Sequence, residues 1–228
     1  MKSLKSAAGE LVLIVAGVMI ALSADAWMEG QRAQRDEGAN LRAILGDLDA
    51  AVAALDESNA SQDRIRAGLR SLLLTGGDAN PDSLATWVEH GLYRLGTYEP
   101  GLGAVGAIEQ TDAISRLPFS IQQGISRLNR LVHWVETTDE DLTRSQQIII
   151  DPFLTQRYAL APALLRSGAV ALDIEPGPID REGLRSTEFR SIAVFKLALL
   201  DTDATRRAEL AAHLSDLRRQ ILNRLEEI

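Results

Sequence analysis

Apolar residues in this chain recur every three or four positions almost everywhere and run together in one place. From Leu41 the series Leu41, Leu45, Leu48, Val52, Leu55, then Ile65, Leu69 and Leu72 is a 3-4 repeat, which sets one apolar seam along one face of a helix. Between Leu55 and Ile65 the seam continues in register through Asn59 and Gln62. A seam with a polar layer serves either as the core face of a bundle helix or as an oligomeric coiled coil whose polar layer fixes register. The helices predicted downstream offer enough apolar surface to cover it within one chain.

Thr75-Gly76-Gly77-Asp78 predicts the end of that helix, with glycine in the left-handed cap. Asn80-Pro81-Asp82 then reads as N-cap, proline at the first helical position and an acid on the helix dipole. The next helix carries Leu84, Trp87, Val88, Leu92 and Leu95, and residues 96–103 form a loop. A short helix is predicted from Ala104 to Leu117, with Pro118 forcing a break, followed by one striped with Ile121, Ile125, Leu128, Val132 and Val135. Ile148-Ile149-Ile150 resembles a strand but has no partner run, so it is expected to be the buried end of a helix. Asp151 is expected to cap a new helix ending near Ser167-Gly168. Residues 172–183 read as a linker. Two final helices are expected, one with Phe189, Ile192, Phe195 and Leu199, the other with Leu210, Leu214, Leu217, Ile221, Leu225 and Ile228. The last stripe can lie antiparallel along the Leu41 to Leu72 seam.

The uninterrupted apolar run is Leu11 to Leu22, within a mostly apolar segment from Ala7 to Met28. A signal peptide explains it through Lys2 and Lys5, the apolar stretch and the small-x-small site Ala24-Asp25-Ala26. A membrane anchor explains it through 22 residues that reach across about 30 Å of hydrocarbon, with Glu10 near one interface and Asp25 near the other. Glu10 abutting the run, Trp27 in an interfacial position and helix-favouring sequence continuing through Arg32 favour the anchor. Residues 1–28 are therefore expected to form a signal-anchor and residues 29–228 a helical body. Basic residues flank both ends, and a short basic start with a long following domain places the body outside the cytoplasm.

The run Gly9-Glu10-Leu11-Val12-Leu13-Ile14-Val15-Ala16-Gly17-Val18, then Ala21-Leu22 and Asp25-Ala26-Trp27-Met28-Glu29, resembles the opening of a domain-of-unknown-function family of bacterial single-pass membrane proteins. The resemblance covers about 40 residues and returns loosely in the last 25 or so. It implies a single-pass anchor in a bacterial inner membrane followed by a long charged helix, and it implies no activity.

Composition narrows the picture in three ways. Hydrophobic content of 46% with 25% charged residues is that of a globular chain, and only 4% aromatic residues favour helices over sheets. The net charge of −8 belongs to residues 29–228, because Lys2 and Lys5 cancel Glu10 and Asp25. Such an acidic body repels phosphate, so nucleic acid is not an expected partner. With no cysteine, disulfide and thiolate chemistry are excluded.

Candidate chemistry is thin. Gly101-Leu102-Gly103-Ala104-Val105-Gly106 has dinucleotide-binding spacing but lacks the preceding strand and the βαβ unit that make the motif work. His90, His133 and His213 are scattered, and none has a second ligand one helical turn away. Asp139 and Asp141 fall in the acidic stretch 136–141, which reads as a solvated face or a helix start. No catalytic residue, cofactor or metal site is expected. In the apolar segment, Glu10 and Asp25 are ionisable groups at membrane depth or at its interfaces, and Gly17 and Ala21 form a small-xxx-small pair suited to close helix contact. The sequence predicts an all-α protein, a transmembrane helix continuing into an antiparallel bundle of about six helices. Three functions suit it: a non-enzymatic, self-associating membrane scaffold, a homo-oligomeric channel or transport component built from the first helix, and an extracytoplasmic ligand-binding sensory bundle. Expected partners are the lipid bilayer and a second copy or another membrane protein.

Overall fold

The computed structural model describes the backbone of residues 2–75, 78–156, 160–173, 175 and 177–228, and side chains from residue 15 onward except that of residue 160. Every regular element among these is helical. Helix α1 spans Lys2–Thr75, about 110 Å at 1.5 Å per residue, because its glycines are isolated and no proline interrupts it. The Gly76-Gly77 stop lies outside the described residues. Helix α2, Pro81–Val88, starts as its sequence predicts: Asn80 Oδ1 accepts from the Ser83 amide at 2.8 Å, and Pro81 opens the first turn. A π turn, Glu89–Tyr93, extends it. Helix α3 is Gly103–Glu109. The single helix predicted from Ala104 to Leu117 is in fact α3 and a separate 3-10 turn, Ile114–Arg116, divided by the turn-favouring Thr111-Asp112.

Helix α4 spans Phe119–Ser145 and runs through a π turn, Gln146–Ile150, into α5, Asp151–Gln156. Asp151 therefore does not cap a new helix; it is helical itself, with φ −63 and ψ −42. Pro152 sits inside a continuing helix because the π turn before it has already shifted the hydrogen-bond ladder that its missing N–H would break. The isoleucine run is split by the same turn: Ile150 is buried, whereas Ile148 and Ile149 are exposed. Helix α6 is Leu160–Arg166, with Gly168 at φ 76 just beyond it. After an irregular stretch, α7 is the short turn Arg181–Arg185.

The two predicted last helices are one. Helix α8 spans Thr187–Glu227, capped by Ser186 Oγ on the Phe189 amide at 3.1 Å. The stretch between Leu200 and Leu210 contains no glycine or proline, and Asp203 and Arg207 within it face inward at helical spacing, so helix continues through it. Helix α8 lies antiparallel to α1, as partners run in opposite order: Arg224 with Glu37, Arg218 with Asp49, Arg207 with Ser58, and Arg66 with the Leu200 carbonyl.

Two apolar cores result. One gathers Leu41, Ile44, Leu48 and Leu55 of α1 with Ile121, Ile125, Leu128 and Val135 of α4 and Leu210, Leu214, Leu217 and Ile221 of α8. The other gathers Ile65, Leu69 and Leu72 with α2, Phe153, Leu154, Phe189 and Leu200. In all three long helices a polar stretch separates them: Ser58 and Gln62 in α1, Thr138 and Asp139 in α4, and Asp203 and Arg207 in α8. At Gly68 and Gly91 the backbones of α1 and the first π turn touch. A Cβ on Gly68 meets the Gly91 nitrogen at 2.9 Å, and one on Gly91 meets the Leu69 nitrogen at 2.7 Å.

At the other end, α1 projects beyond the bundle. Between residues 15 and 36 nothing is buried, and burial begins at Gly38. Among the described residues no helix is long and apolar enough to cross a membrane.

Candidate functional site

The polar layer between the two cores gathers buried charged groups from three helices, and its origin lies in one irregular segment. Residues 94–102 carry no regular structure yet pass against the bundle, with Tyr98 only 2% exposed. Irregular backbone inside a helical protein strands carbonyls and amides that must be satisfied by side chains. Helices α1, α4 and α8 supply those side chains.

Arg207 is the hub, and all three of its guanidinium nitrogens are engaged. Nε donates to Asp203 Oδ2, Nη1 to Ser58 Oγ at 2.6 Å, and Nη2 to the Gly96 carbonyl at 3.1 Å and to Asp139 Oδ1 at 2.8 Å. The guanidinium also lies 5.9 Å from the centre of the Tyr98 ring, within cation–π range. Asp139 Oδ2 accepts from the Tyr98 amide at 2.7 Å, and Ser58 donates to the Thr97 carbonyl at 2.7 Å. Gln62 donates to Asp203 Oδ2 and to the Gly96 carbonyl, and its own oxygen accepts from Arg66. Asp203 is fully buried, and its Oδ1 has no hydrogen-bond partner among the described residues.

Lys196, two turns before Asp203 on α8, extends the layer. Its ammonium donates to the Leu92 carbonyl at 2.8 Å, the Arg94 carbonyl at 3.1 Å and Gln146 Oε1 at 2.9 Å. It thereby joins the two π turns, and Gln146 passes the connection to Asp151 at 2.7 Å. Burial of the ammonium lowers the Lys196 pKa to about 7, opposed by the nearby Asp151 charge. Burial raises Asp139 to about 6, against the pull of Arg207. Burial pushes the Tyr98 phenol up to about 12.

Against this layer opens a cleft of about 470 Å³, lined by Thr97, Tyr98 and Glu99 of the irregular segment and by Glu136, Asp139, Glu140, Thr143, Arg144 and Gln147 along α4 and its π turn. The acidic stretch 136–141 is thus not a uniformly solvated face or a helix start. It lies mid-helix, and its Asp139 turns inward to Arg207 because a helix period of 3.6 carries one acid of the run onto the core side.

The residues singled out from the sequence fall in different places. Gln62 is fully buried in the layer, and Ser58 rather than the half-buried Asn59 stands beside it. Asp25 is exposed and Trp27 is 66% exposed. Gly17 and Ala21 lie on the projecting part of α1, where a Cβ on Gly17 meets nothing within 4 Å. The Glu10 side chain lies outside the described set. His213 is buried against the Gly124 carbonyl at 2.8 Å, and His90 lies 3.6 Å from Glu89. Of the glycines at 101 to 106, Gly101 precedes α3 while Gly103 and Gly106 lie within it, and the Val105 amide of α3 is held by Asp47 at 2.9 Å. Among the described residues no group of acids and histidines is placed to hold a metal ion.

The signal missed in the sequence was the register of α8. Lys196, Leu200, Asp203, Arg207 and Leu210 follow the same 3-4 spacing as the apolar stripe, so three charged residues occupy core positions. Dividing the helix there hid them.

No family model matches the chain, and no characterised protein or solved structure shows a significant likeness to it.

Proposed function

We propose that the chain is a membrane-anchored, non-enzymatic scaffold in which α1 serves both as anchor and as the first helix of the bundle. The observation that carries this reading is the unburied projection of α1. Val15, Val18, Met19, Ile20 and Leu22 are each more than half exposed, with no partner among the described residues; four of them share an arc of about 100° and Ile20 lies on the opposite side. A surface helix of a globular protein keeps its apolar residues on one side; a helix apolar all round needs lipid or another chain. Residues 11–14, the most apolar part of the run, extend the same helix toward its start. Trp27 at the polar end suits an interface. Membership of the single-pass family that the opening residues resemble belongs to the same proposal, as does self-association through Gly17 and Ala21. The test is alkaline carbonate extraction of native membranes combined with intact mass: retention in the pellet at full mass supports the anchor, and a mature chain lacking the first 26 residues overturns it.

A second reading, a ligand-binding sensory bundle, is favoured by the cleft of about 470 Å³ beside Asp139. That is the size range of small-molecule sites, and Glu99, Glu136 and Glu140 at its wall suit a cationic or amine ligand. Calorimetric titration with small amines, compared between the native chain and Glu136→Gln, tests it.

A further inference from the structure

Where α1 leaves the bundle, a groove of about 300 Å³ opens between α1 and the end of α8, lined by Gln31, Gln34, Arg35, Gly38 and Arg42 with Leu225 and Ile228. Charge is segregated around α1 at this level. Taking Gln31 as zero, Arg35 and Arg42 lie within about 40° of it, while Glu29 and Asp36 lie about 140–160° away on the opposite face. Of the acids nearer the groove, Glu37 and Glu227 are both taken by Arg224. Arg42 forms no hydrogen bond or ion pair among the described residues, and Arg35 makes only a 3.4 Å contact with Gln31. Gly38 keeps the groove open, since a Cβ there meets the Ile228 side chain at 3.4 Å and the Arg42 guanidinium at 3.5 Å. Two uncompensated guanidiniums and two amides thus rim an apolar floor on an otherwise acidic protein.

We infer that this groove binds the phosphate-bearing headgroup of an anionic phospholipid, which rests on the anchor reading above. Arg35 lies eight residues after Trp27, about 12 Å along the helix, and because helical side chains lean toward the helix start its long side chain reaches back toward the headgroup layer, about 5–8 Å deep beyond the hydrocarbon. Arginine pairs with a phosphate through two parallel N–H donors, and the acyl chains continue along the exposed apolar face of α1 that leads away from the groove. Juxtamembrane basic residues favour anionic lipid in the same way. The occupant is a lipid rather than free phosphate because its apolar part accounts for the Leu225 and Ile228 floor.

The test uses the full chain in non-ionic detergent, titrated calorimetrically with dihexanoyl phosphatidylglycerol, dihexanoyl phosphatidylcholine and inorganic phosphate. Saturable binding of phosphatidylglycerol at one per chain is expected, roughly ten-fold tighter than phosphatidylcholine, and roughly ten-fold weaker in Arg35→Gln/Arg42→Gln. Arg35→Lys/Arg42→Lys keeps the charge and is expected to retain most of the binding, and Arg70→Gln, remote on α1, all of it. Equal binding of the two lipids overturns the inference, as does a double glutamine variant that binds like the native chain with unchanged circular dichroism. Inorganic phosphate binding as tightly as phosphatidylglycerol overturns the lipid assignment. Because the short-chain lipids are soluble, the groove is read independently of anchoring; extraction by carbonate with lipid selectivity intact removes the anchor reading alone.

Discussion

Arg207 Nη2 stands 2.8 and 3.1 Å from the two carboxylate oxygens of Asp139, joining the last helix to α4 where neither side chain is more than 8% exposed. The pair is one edge of a layer that also carries Asp203 and the carbonyl of Gly96. Removing one member leaves the others charged and out of water. Arg207→Met is therefore expected to destabilise the fold by about 3–5 kcal/mol, the usual cost of breaking a buried ion pair from one side. In many proteins an all-apolar replacement of such a cluster restores stability. Here the triple change Asp139→Leu, Asp203→Leu, Arg207→Met is expected to recover little, because the Tyr98 amide loses its acceptor, and Ser58 and the Gly96 carbonyl each lose a contact to Arg207. Urea unfolding followed by circular dichroism decides it: a loss under about 1 kcal/mol for Arg207→Met contradicts the assignment of that residue as hub.

Two of the perturbed groups, Asp139 and Lys196, predict a distinctive pH profile. Asp139 has a folded pKa raised above its ordinary 3.8 to about 6. Its contribution is present below pH 3.8 and lost as pH rises through 6, since the folded state binds its proton more tightly in that window. Lys196 has a folded pKa lowered from 10.5 to about 7. Its contribution is present above pH 10.5 and lost as pH falls toward 7. Asp139→Asn is expected to flatten the fall in stability between about pH 4 and 6, and Lys196→Met to flatten the rise between about pH 7 and 10. Midpoints of urea unfolding across those windows provide the check, and parallel profiles for Lys196→Met and the native chain refute the second half.

How far these features could be read from residues alone depends on where the periodicity was followed. The first half of the α1 seam, Leu41 to Leu55, the stripe of α4 and the antiparallel mate at Leu210 to Ile221 all carry apolar residues at helical spacing, and the fold places them together in one core. The middle layer is different, because its core positions are charged. A hydrophobicity pattern marks Asp203 and Arg207 as surface, and it marks Asp139 as one acid among several. Their burial follows only from the irregular segment they satisfy, and the docking of residues 94–102 across the bundle is a tertiary fact with no local sequence signature. Gln62 was visible as a polar step in the seam; what it faces was not.

Two glycines offer a sharp steric test. A side chain on Gly68 must push against the backbone of Gly91, and backbone at 2.9 Å cannot rotate away as a side-chain end does. Gly68→Ala and Gly91→Ala are each expected to cost about 1–3 kcal/mol through overpacking. Gly46 lies in the same long helix, but a Cβ there meets nothing within 4 Å. Gly46→Ala is expected to stabilise by up to about 1 kcal/mol, because alanine loses less backbone entropy in a helix. Thermal melting of the three variants should therefore split in sign, and a destabilised Gly46→Ala contradicts the open surface at that position.

The projection of α1 makes the bundle and the N-terminal segment energetically separable. The described side chains up to residue 36 are at most half-buried, and their single side-chain hydrogen bonds stay within the helix, as from Ser23 to the Met19 carbonyl at 2.7 Å. Packing begins with Gly38 and Leu41, and the first ion pair to another element is Glu37 with Arg224. A chain starting at Glu29 thus keeps both cores, the polar layer and the Glu37 contact. Its urea midpoint is expected to differ from that of the full chain by no more than the roughly 0.5 kcal/mol typical of surface changes. Starting instead at Leu45 removes Leu41, Ile44 and the Glu37 pair. Losing two buried aliphatic side chains at about 2–5 kcal/mol each should leave that shorter chain largely unfolded. If the Glu29 chain melts as early as the Leu45 chain, the projecting helix is a structural part of the bundle, and the reading of it as a separate anchoring element fails.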